Sequence, residues 1–466
     1  MLRFFRLNDP YRLLGLLLIL IAISLPLLFP AAQWTIQELK SIVLGEALND
    51  GKSMYIQLID DTAPLAAWFA KWTYFAFGRS ITARHVIALL VIFFQASYFA
   101  ILLITNKAYN ENTYLPALIF GILAFFSFDL LSLSPELLAA TVLLFALNNL
   151  FKEIEFKIQR DEIILNLGVY LGVASLLVFS YSVFLLGALL LIILFTRITF
   201  RKTLLLIFGF LLPHALLFTF FFFWNNHGNL IDYFYYPNFS WATVRLVSIN
   251  SLFILAIIPV VYLVFSLVML NRERHFTKYQ SQLLQVMFIW LLITLIQLLF
   301  SRELTPHSFY PFIPPLAYFI SHYLLLIRRK RIAETVLWIF MVGILTMNWV
   351  AGTGRIKSIN YSSLMLPKTE HPTHVKNQRI LVLEDGLSFY KQNKMAGYFL
   401  SWPLSKEIFG HPEYFENVIL VGDSFQKDPP QTIVDKNDLM KPFFERIPHL
   451  KKQYRREGDY YYRINN

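Results

Sequence analysis

The sequence predicts an all-α polytopic membrane protein of about eleven transmembrane helices, with two interfacial helices in its first outer loop. A small C-terminal α/β extracytoplasmic domain follows. Three observations predict this. Of the 466 residues, 56% are hydrophobic and 15% charged, whereas soluble domains average roughly 45–50% and 25%. Apolar runs of about 20 residues, each long enough to cross a bilayer core as a helix, recur through the first three quarters of the chain. Lys and Arg gather in alternate connections between those runs.

The spans fall near 11–30, 85–105, 114–132, 135–151, 163–180, 182–197, 203–224, 249–270, 282–300, 309–327 and 333–351. A backbone in lipid must satisfy its own hydrogen bonds, so each is read as a helix. The first is too long in its apolar stretch for a cleaved signal peptide and reads as a retained anchor. One set of connections carries Arg3, Arg6 and Arg12; Lys107; Lys152, Lys157 and Arg160; Arg197, Arg201 and Lys202; Arg272, Arg274 and Lys278; and the run 328–331. The short connections of the other set carry only Arg245 and Arg302. By the positive-inside rule the N-terminus is cytoplasmic, and eleven spans put the C-terminus outside. The net charge of +11 is therefore explained by topology, and nucleic acid is not an expected partner. "FSYS" at 179–182 marks a reversal between two short spans. The absence of cysteine excludes disulfides and thiolate metal sites.

The first span is followed by a polar outer loop with five carboxylates: Glu38, Glu46, Asp50, Asp60 and Asp61. Apolar residues at Leu39, Ile42, Val43, Ala47 and Leu48 give an amphipathic helix, ended by Asp50-Gly51. "LAAWFAKWTYFAFGRS" is a second, aromatic helix, and both suit the membrane interface. Glu46 and Asp50 read as solvated helix and turn residues.

From 352 the character changes, which divides the chain into a transmembrane domain, 1–351, and an extracytoplasmic α/β domain, 352–466. "RILVLED" and "NVILVGD" read as buried strands, and "LSFYKQNKMAGYFL" as a helix between them. "DLMKPFFERI" reads as a helix opened by an Asp cap, and "YYYRI" as a last strand. Such alternation implies a partly parallel sheet. No glycine fingerprint follows either strand, so nucleotide binding is not supported.

The first outer loop resembles that of the glycosyltransferase C superfamily, in its protein-mannosyltransferase and aminoarabinose-transferase branch. The residues that carry the resemblance are Glu38, Gly51 through Tyr55, Thr62-Ala63-Pro64-Leu65, Trp68, Phe77-Gly78-Arg79-Ser80 and Arg84. "SLSPELLAATVLLFAL" (132–147) is similar to the family's second outer loop. "SRELTPHSFYPFIPPLAYFISHYLL" (301–325) is similar to its late outer loop. Ile36 stands where the pattern places an Asp. The resemblance implies a bacterial inner-membrane enzyme that moves a sugar from a polyprenyl-phosphate carrier to an extracytoplasmic acceptor with inversion. Its partners are then the polyprenyl-linked sugar and membrane lipid. Inversion requires a carboxylate base and groups that stabilise charge on the departing phosphate. Glu38, Asp60, Asp61 and Glu136 are the candidate catalytic acids, with Asp129 at the outer end of a span. Arg302, His307 and Tyr310 are the candidates for the lipid phosphate, a guanidinium being well matched to phosphate oxygens. The acids leave room for a divalent cation, but no cofactor is specified. The competing reading is a catalytically inactive subunit of the same fold that assembles with other envelope-complex subunits. A transporter is disfavoured, because no pair of interrupted spans occupies corresponding halves.

Overall fold

The computed structural model describes residues 1–28, 34–155, 160–196, 199–224, 226–239, 244–272, 276–353, 359, 361–366 and 375–464. The end of the first expected span, and the basic residues Lys157, Arg197 and Arg274, lie outside the described residues. A helix occurs in every expected span. In chain order they are α1 (Arg12–Leu28), then α4 (Ile81–Thr105), α5 (Leu115–Leu123), α6 (Pro135–Glu155), α7 (Asp161–Leu177) and α8 (Val183–Phe195). They continue as α9 (Phe200–Phe223), α10 (Ile249–Arg272), α11 (Lys278–Leu299), α12 (Ile313–Leu326) and α13 (Lys330–Thr353). The first loop supplies α2 (Ile36–Asn49) and α3 (Pro64–Phe77). Among the described residues, 7 helices are long and apolar enough to cross a membrane: α4, α6, α9, α10, α11, α13, and α12 with the 3₁₀ turn before it. The span expected over 114–132 is interrupted. Helix α5 stops at Leu123, and a separate 3₁₀ turn covers Phe128–Leu131. There the Ser127 hydroxyl donates to the Asp129 carboxylate, a local bond that competes with helix continuation. The reversal expected at "FSYS" is a 3₁₀ turn, Phe179–Ser182, whose Ser180 hydroxyl accepts from buried Gln297 at 2.9 Å.

Two compact units make up the chain. The first comprises Met1–Ala32, Ile81–Leu217 and Trp241–Ser363; the second comprises Gln33–Ser80, Phe218–Ser240 and Leu364–Asn466. In the first, α7 and α9 cross backbone to backbone. A Cβ on Gly168 or Gly172 would lie 2.3 Å from the Leu206 carbonyl oxygen or 2.4 Å from that of Phe210. Small residues allow this approach, the usual device for packing helices where lipid removes the hydrophobic drive between them. The His214 ring and the Ser175 hydroxyl meet across the same crossing at 2.8 Å.

The second unit is built on a five-stranded sheet. Its strands are β1 (Arg379–Val382), β2 (Lys394–Met395), β3 (Thr432–Val434), β4 (Tyr454–Glu457) and β5 (Tyr460–Arg463). The order is β2-β1-β3-β5-β4, with β2, β1 and β3 parallel and β5 antiparallel to β3 and β4. Both faces are buried. Leu381, Leu383 and Ile433 pack with Val418, Val421, Phe425, Phe443 and Phe444 from the tail's own helices. Ile380, Val382 and Val434 point the other way, as alternation along a strand demands. They pack with Leu39, Val43, Leu44, Ala47, Ala67 and Ala70 of α2 and α3. The first loop thus forms one layer of the α/β unit. Backbone bonds reinforce it: Ile59 N–H donates to Tyr398 C=O at 2.7 Å, and Ser401 N–H to Ile59 C=O at 3.1 Å. So does an ionic knot on the buried Asp428 carboxylate, from which buried Lys52 and the more exposed Arg379 each lie 2.6 Å away.

Three readings of this unit are corrected. "NVILVGD" lies in a helix, α15 (Phe415–Lys427), because Val418, Val421 and Phe425 recur at helical spacing toward the core. It follows α14 (Trp402–Gly410). "LSFYKQNKMAGYFL" is a 3₁₀ turn, the short strand β2 and a turn at Gly397 with φ +73°. The predicted helix after Asp438 is α16 (Met440–Arg446), but its cap is Asp435, whose carboxylate accepts from Leu439 N–H at 3.0 Å and Met440 N–H at 2.8 Å. Asp438 sits at φ +56° and pairs with Arg456. Glu46 is corrected too. It is buried, ion-paired with Arg79, and accepts from the Tyr74 hydroxyl at 2.7 Å. The strand "YYYRI" is present as β5, while β3 and β4, three and four residues long, were not expected.

Helix α2 meets α3 at Gly45, where an added Cβ would lie 2.3 Å from the Ala70 carbonyl oxygen. Gly45→Ala should therefore force the two helices apart and cost about 1–3 kcal/mol, the usual range for overpacking. Thermal unfolding of the purified full-length protein measures this, and an unchanged Tm would refute the packing described.

Candidate functional site

In the second unit, Thr35 opens α2 with a capping box. Its hydroxyl accepts from Glu38 N–H at 3.2 Å, and the Glu38 carboxylate accepts from Thr35 N–H at 3.2 Å. Glu38 is half-buried and has this N-terminal structural role. The same cap sets the helical phase and so the place of Lys40. The Lys40 ammonium lies 3.1 Å from the carboxylates of both Asp60 and Asp61. The Asp60 side chain is 0% exposed and that of Asp61 11%.

The acid pair is held from several sides. Thr62 N–H donates to Asp60 at 3.2 Å, and its hydroxyl also donates to that carboxylate, an Asx-type turn. The Tyr55 hydroxyl donates to Thr62 C=O at 2.6 Å, closing the stretch 55–62. Tyr55 is fully buried against Phe221 and Phe234 and takes φ +64°, a strained conformation for a residue with a side chain. Asn238 donates to Asp61 C=O at 3.2 Å and Phe234 C=O at 2.7 Å. Burial pushes the Asp60 carboxyl above the ordinary carboxylate range; Lys40 opposes the rise and Asp61 adds to it. Burial, then Asp60 and Asp61, raise the Tyr55 hydroxyl well above its usual value.

The first unit holds a second polar group, around Asp129. The Ser127 hydroxyl donates to the Asp129 carboxylate and lies 3.4 Å from the Tyr361 hydroxyl. Burial and then the Asp129 carboxylate raise Tyr361 above the usual tyrosine value. The His307 ring lies 2.9 Å from the Asp129 carbonyl oxygen, 3.0 Å from the Ser132 hydroxyl and 3.5 Å from the Asp129 carboxylate. Tyr310 donates to Leu130 C=O, and its ring lies parallel to His307 with centroids 6.1 Å apart. His307 and Tyr310 are each 1% exposed and fasten the turn 127–132. Glu136 is half-buried in the first turn of α6 and interacts electrostatically with Tyr181 and Tyr310. Arg302 is half-buried beside a short strand, Glu303–Leu304, that pairs in parallel with Val244–Arg245.

The structure thus brings Asp60 and Asp61 together around a lysine, and His307 and Tyr310 together around Asp129. Glu38 belongs to the unit of the first pair; Glu136 and Arg302 belong to the other. Lys40 escaped the sequence reading. Its only early signal is the capping box, which fixes where a side chain two residues beyond Glu38 must point. Among the described residues, no group of three or more His, Cys, Asp or Glu is placed to hold a metal ion. The Asp60–Asp61 pair already encloses an ammonium, so these residues do not fit a divalent cation.

These units define a polytopic membrane protein with the glycosyltransferase C fold. No protein-family model and no curated protein matches the chain by sequence. Solved structures match it in shape. ArnT from Cupriavidus metallidurans, bound to undecaprenyl phosphate, is similar with a TM-score of 0.54 and 13% identity, over 92% of this chain and 94% of that one. Its apo state gives 0.54 at 12% identity over the same shares, 92% and 94%. The Archaeoglobus fulgidus oligosaccharyltransferase tethered to an acceptor peptide gives 0.52 at 10% identity, over 96% of this chain and 72% of that one.

Asp60 yields a pH signature. Between the ordinary carboxylate pKa and its raised value, the folded chain holds a proton that the unfolded chain has released. Its contribution to stability therefore falls as pH rises through that window. Relative to Asp60→Asn, the wild type should gain stability as the pH is lowered through the acid range. Thermal unfolding of both proteins at stepped pH is the measurement, and curves that run parallel would contradict the burial of an ionisable Asp60.

Proposed function

We propose that the chain is a membrane glycosyltransferase of the bacterial inner membrane, acting on a polyprenyl-phosphate-linked sugar. In this reading the N-terminus is cytoplasmic, and the first loop and the C-terminal α/β domain lie outside. The observation that carries it is a buried, lysine-bridged acid pair in the first loop of a glycosyltransferase C fold. Fold alone does not imply function, so the acids must be ranked on their surroundings. Asp60 is sealed and biased toward its protonated form. Glu38 holds the start of α2. Asp61 lies beside an ammonium, has its backbone clamped by Asn238, and retains some exposure. Asp61 is therefore the base of choice.

In the step proposed, the acceptor hydroxyl gives its proton to Asp61 as its oxygen bonds to the anomeric carbon. The bond from that carbon to the phosphate oxygen breaks from the opposite face, and the polyprenyl phosphate leaves with the electron pair. One displacement inverts the centre. Arg302 is the group proposed to meet the growing phosphate charge. His307 and Tyr310 act behind it, by holding the turn that carries Asp129. A second reading, an inactive subunit of this fold, is favoured by one observation: Glu38 is engaged in a capping box, and Ile36 stands where the family pattern has an Asp.

Mass spectrometry of lipid that co-purifies with the protein, together with transfer from a defined polyprenyl-phosphate sugar in proteoliposomes, decides between them. Asp61→Asn should lower kcat by about 10²–10⁴-fold, the range for loss of a general base, while retaining bound lipid. Arg302→Ala should reduce lipid recovery several-fold. Equal recovery from wild type and Arg302→Ala would remove the phosphate role. An inactive wild type that carries no polyprenyl lipid would establish the second reading.

A further inference from the structure

Two adjacent carboxylates, one of them wholly buried, are costly to keep without a cation. In oxygen-rich acidic sites that cation is commonly Mg²⁺, Mn²⁺ or Ca²⁺, held at about 2.0–2.6 Å. Here the position between the carboxylates is filled from within. The Lys40 ammonium is 3.1 Å from an oxygen of each, and its side chain is 24% exposed. Its backbone is fixed by the capping box at Thr35, on a helix locked into the sheet core through Leu39, Val43 and Leu44. The acids are fixed by the Asx-type turn at Thr62, the Tyr55 hydroxyl and the Asn238 amide. The backbone of each partner is therefore placed without the ion pair, which is left to orient the Asp61 carboxylate.

We propose that Lys40 is the resident cation of this acid site, standing where a divalent metal would bridge Asp60 and Asp61, so that the site works without metal. The ammonium supplies the counter-charge and orients Asp61, but it leaves no open coordination position for substrate oxygens. Removing it would leave two carboxylates and the Thr62 hydroxyl, an oxygen donor set of the kind that hard divalent cations accept. Lys40 is thus a positioning residue. The inference rests on the reading of Asp61 as the reacting acid only for its bearing on transfer; the binding test needs no activity.

The probe is Mn²⁺ alone, added to purified full-length protein in detergent. It is read by thermal unfolding and by the loss of the free-ion electron paramagnetic resonance signal. The wild type and Lys40→Arg should show no saturable response up to about 1 mM, the upper end of weak protein sites. Lys40→Ala should be less stable and should regain several degrees of Tm with Mn²⁺, and the double variant Lys40→Ala with Asp61→Asn should lose that response. A Lys40→Ala protein that folds only when Mn²⁺ is present also supports the proposal. Saturable Mn²⁺ binding by the wild type overturns it, as does a Lys40→Ala protein equally unstable with and without Mn²⁺. Failure of the transfer assay with this pattern intact would sink the enzyme reading and leave Lys40 in its role.

Discussion

The sheet of the second unit buries both faces, and a sheet buried on both faces needs two coverings. The tail supplies one, through α15 and α16. The other comes from α2 and α3, at the opposite end of the chain. Everything distinctive about the first loop follows from this. The loop is polar for a membrane protein because it belongs to an α/β unit, where one helical stripe is apolar and the rest faces water. Its α3 buries Ala66, Ala67, Ala70 and Thr73 and leaves Trp68, Trp72 and Phe75 exposed, the small residues permitting close approach to α2. The backbone bonds at Ile59 place that residue in the sheet core, one position before Asp60. The acid pair therefore inherits its geometry from the sheet.

That dependence explains what could be read from the sequence. Spans, reversals and the charge pattern are local or periodic, and each was visible in a window of about 20 residues. The helix in 37–48 was equally visible, because its apolar stripe recurs at helical spacing. What stayed hidden was the pairing of groups remote in sequence. Glu46 looked solvated because nothing near it in the chain announces Arg79 or the Tyr74 hydroxyl. Lys40 carried no signal of its own in the sequence, because Asp60 and Asp61 reach it only after the chain has turned at Tyr55 and Thr62. "NVILVGD" was misread for a different reason. A short apolar run fits a buried strand and a buried helix turn equally, and only the third anchor, Phe425, lying beyond the run, separates them.

The five carboxylates of the loop now have different physical standing. Glu46 is a buried structural ion; Asp50 lies at the C-terminal end of α2, 3.5 Å from Lys394. Glu38 completes a helix N-terminus, where an acid is favoured by the orphan N–H groups and the macrodipole. Asp60 and Asp61 differ from these three in being adjacent in the chain, with one ammonium 3.1 Å from both. Two negative charges on one ammonium leave an excess of negative charge inside a poorly solvated pocket, which one proton relieves. Of the two, Asp60 is the one wholly buried, and burial pushes its pKa upward.

The consequence is a division of labour between neighbouring residues of identical chemistry. Asp60 is enclosed, and its burial favours the neutral acid, while Asp61 shares the same ammonium at the rim of the cluster. Asp61 keeps 11% exposure at the edge of the cluster, with its backbone held by Asn238. In the reaction proposed, position is therefore what Asp61 contributes.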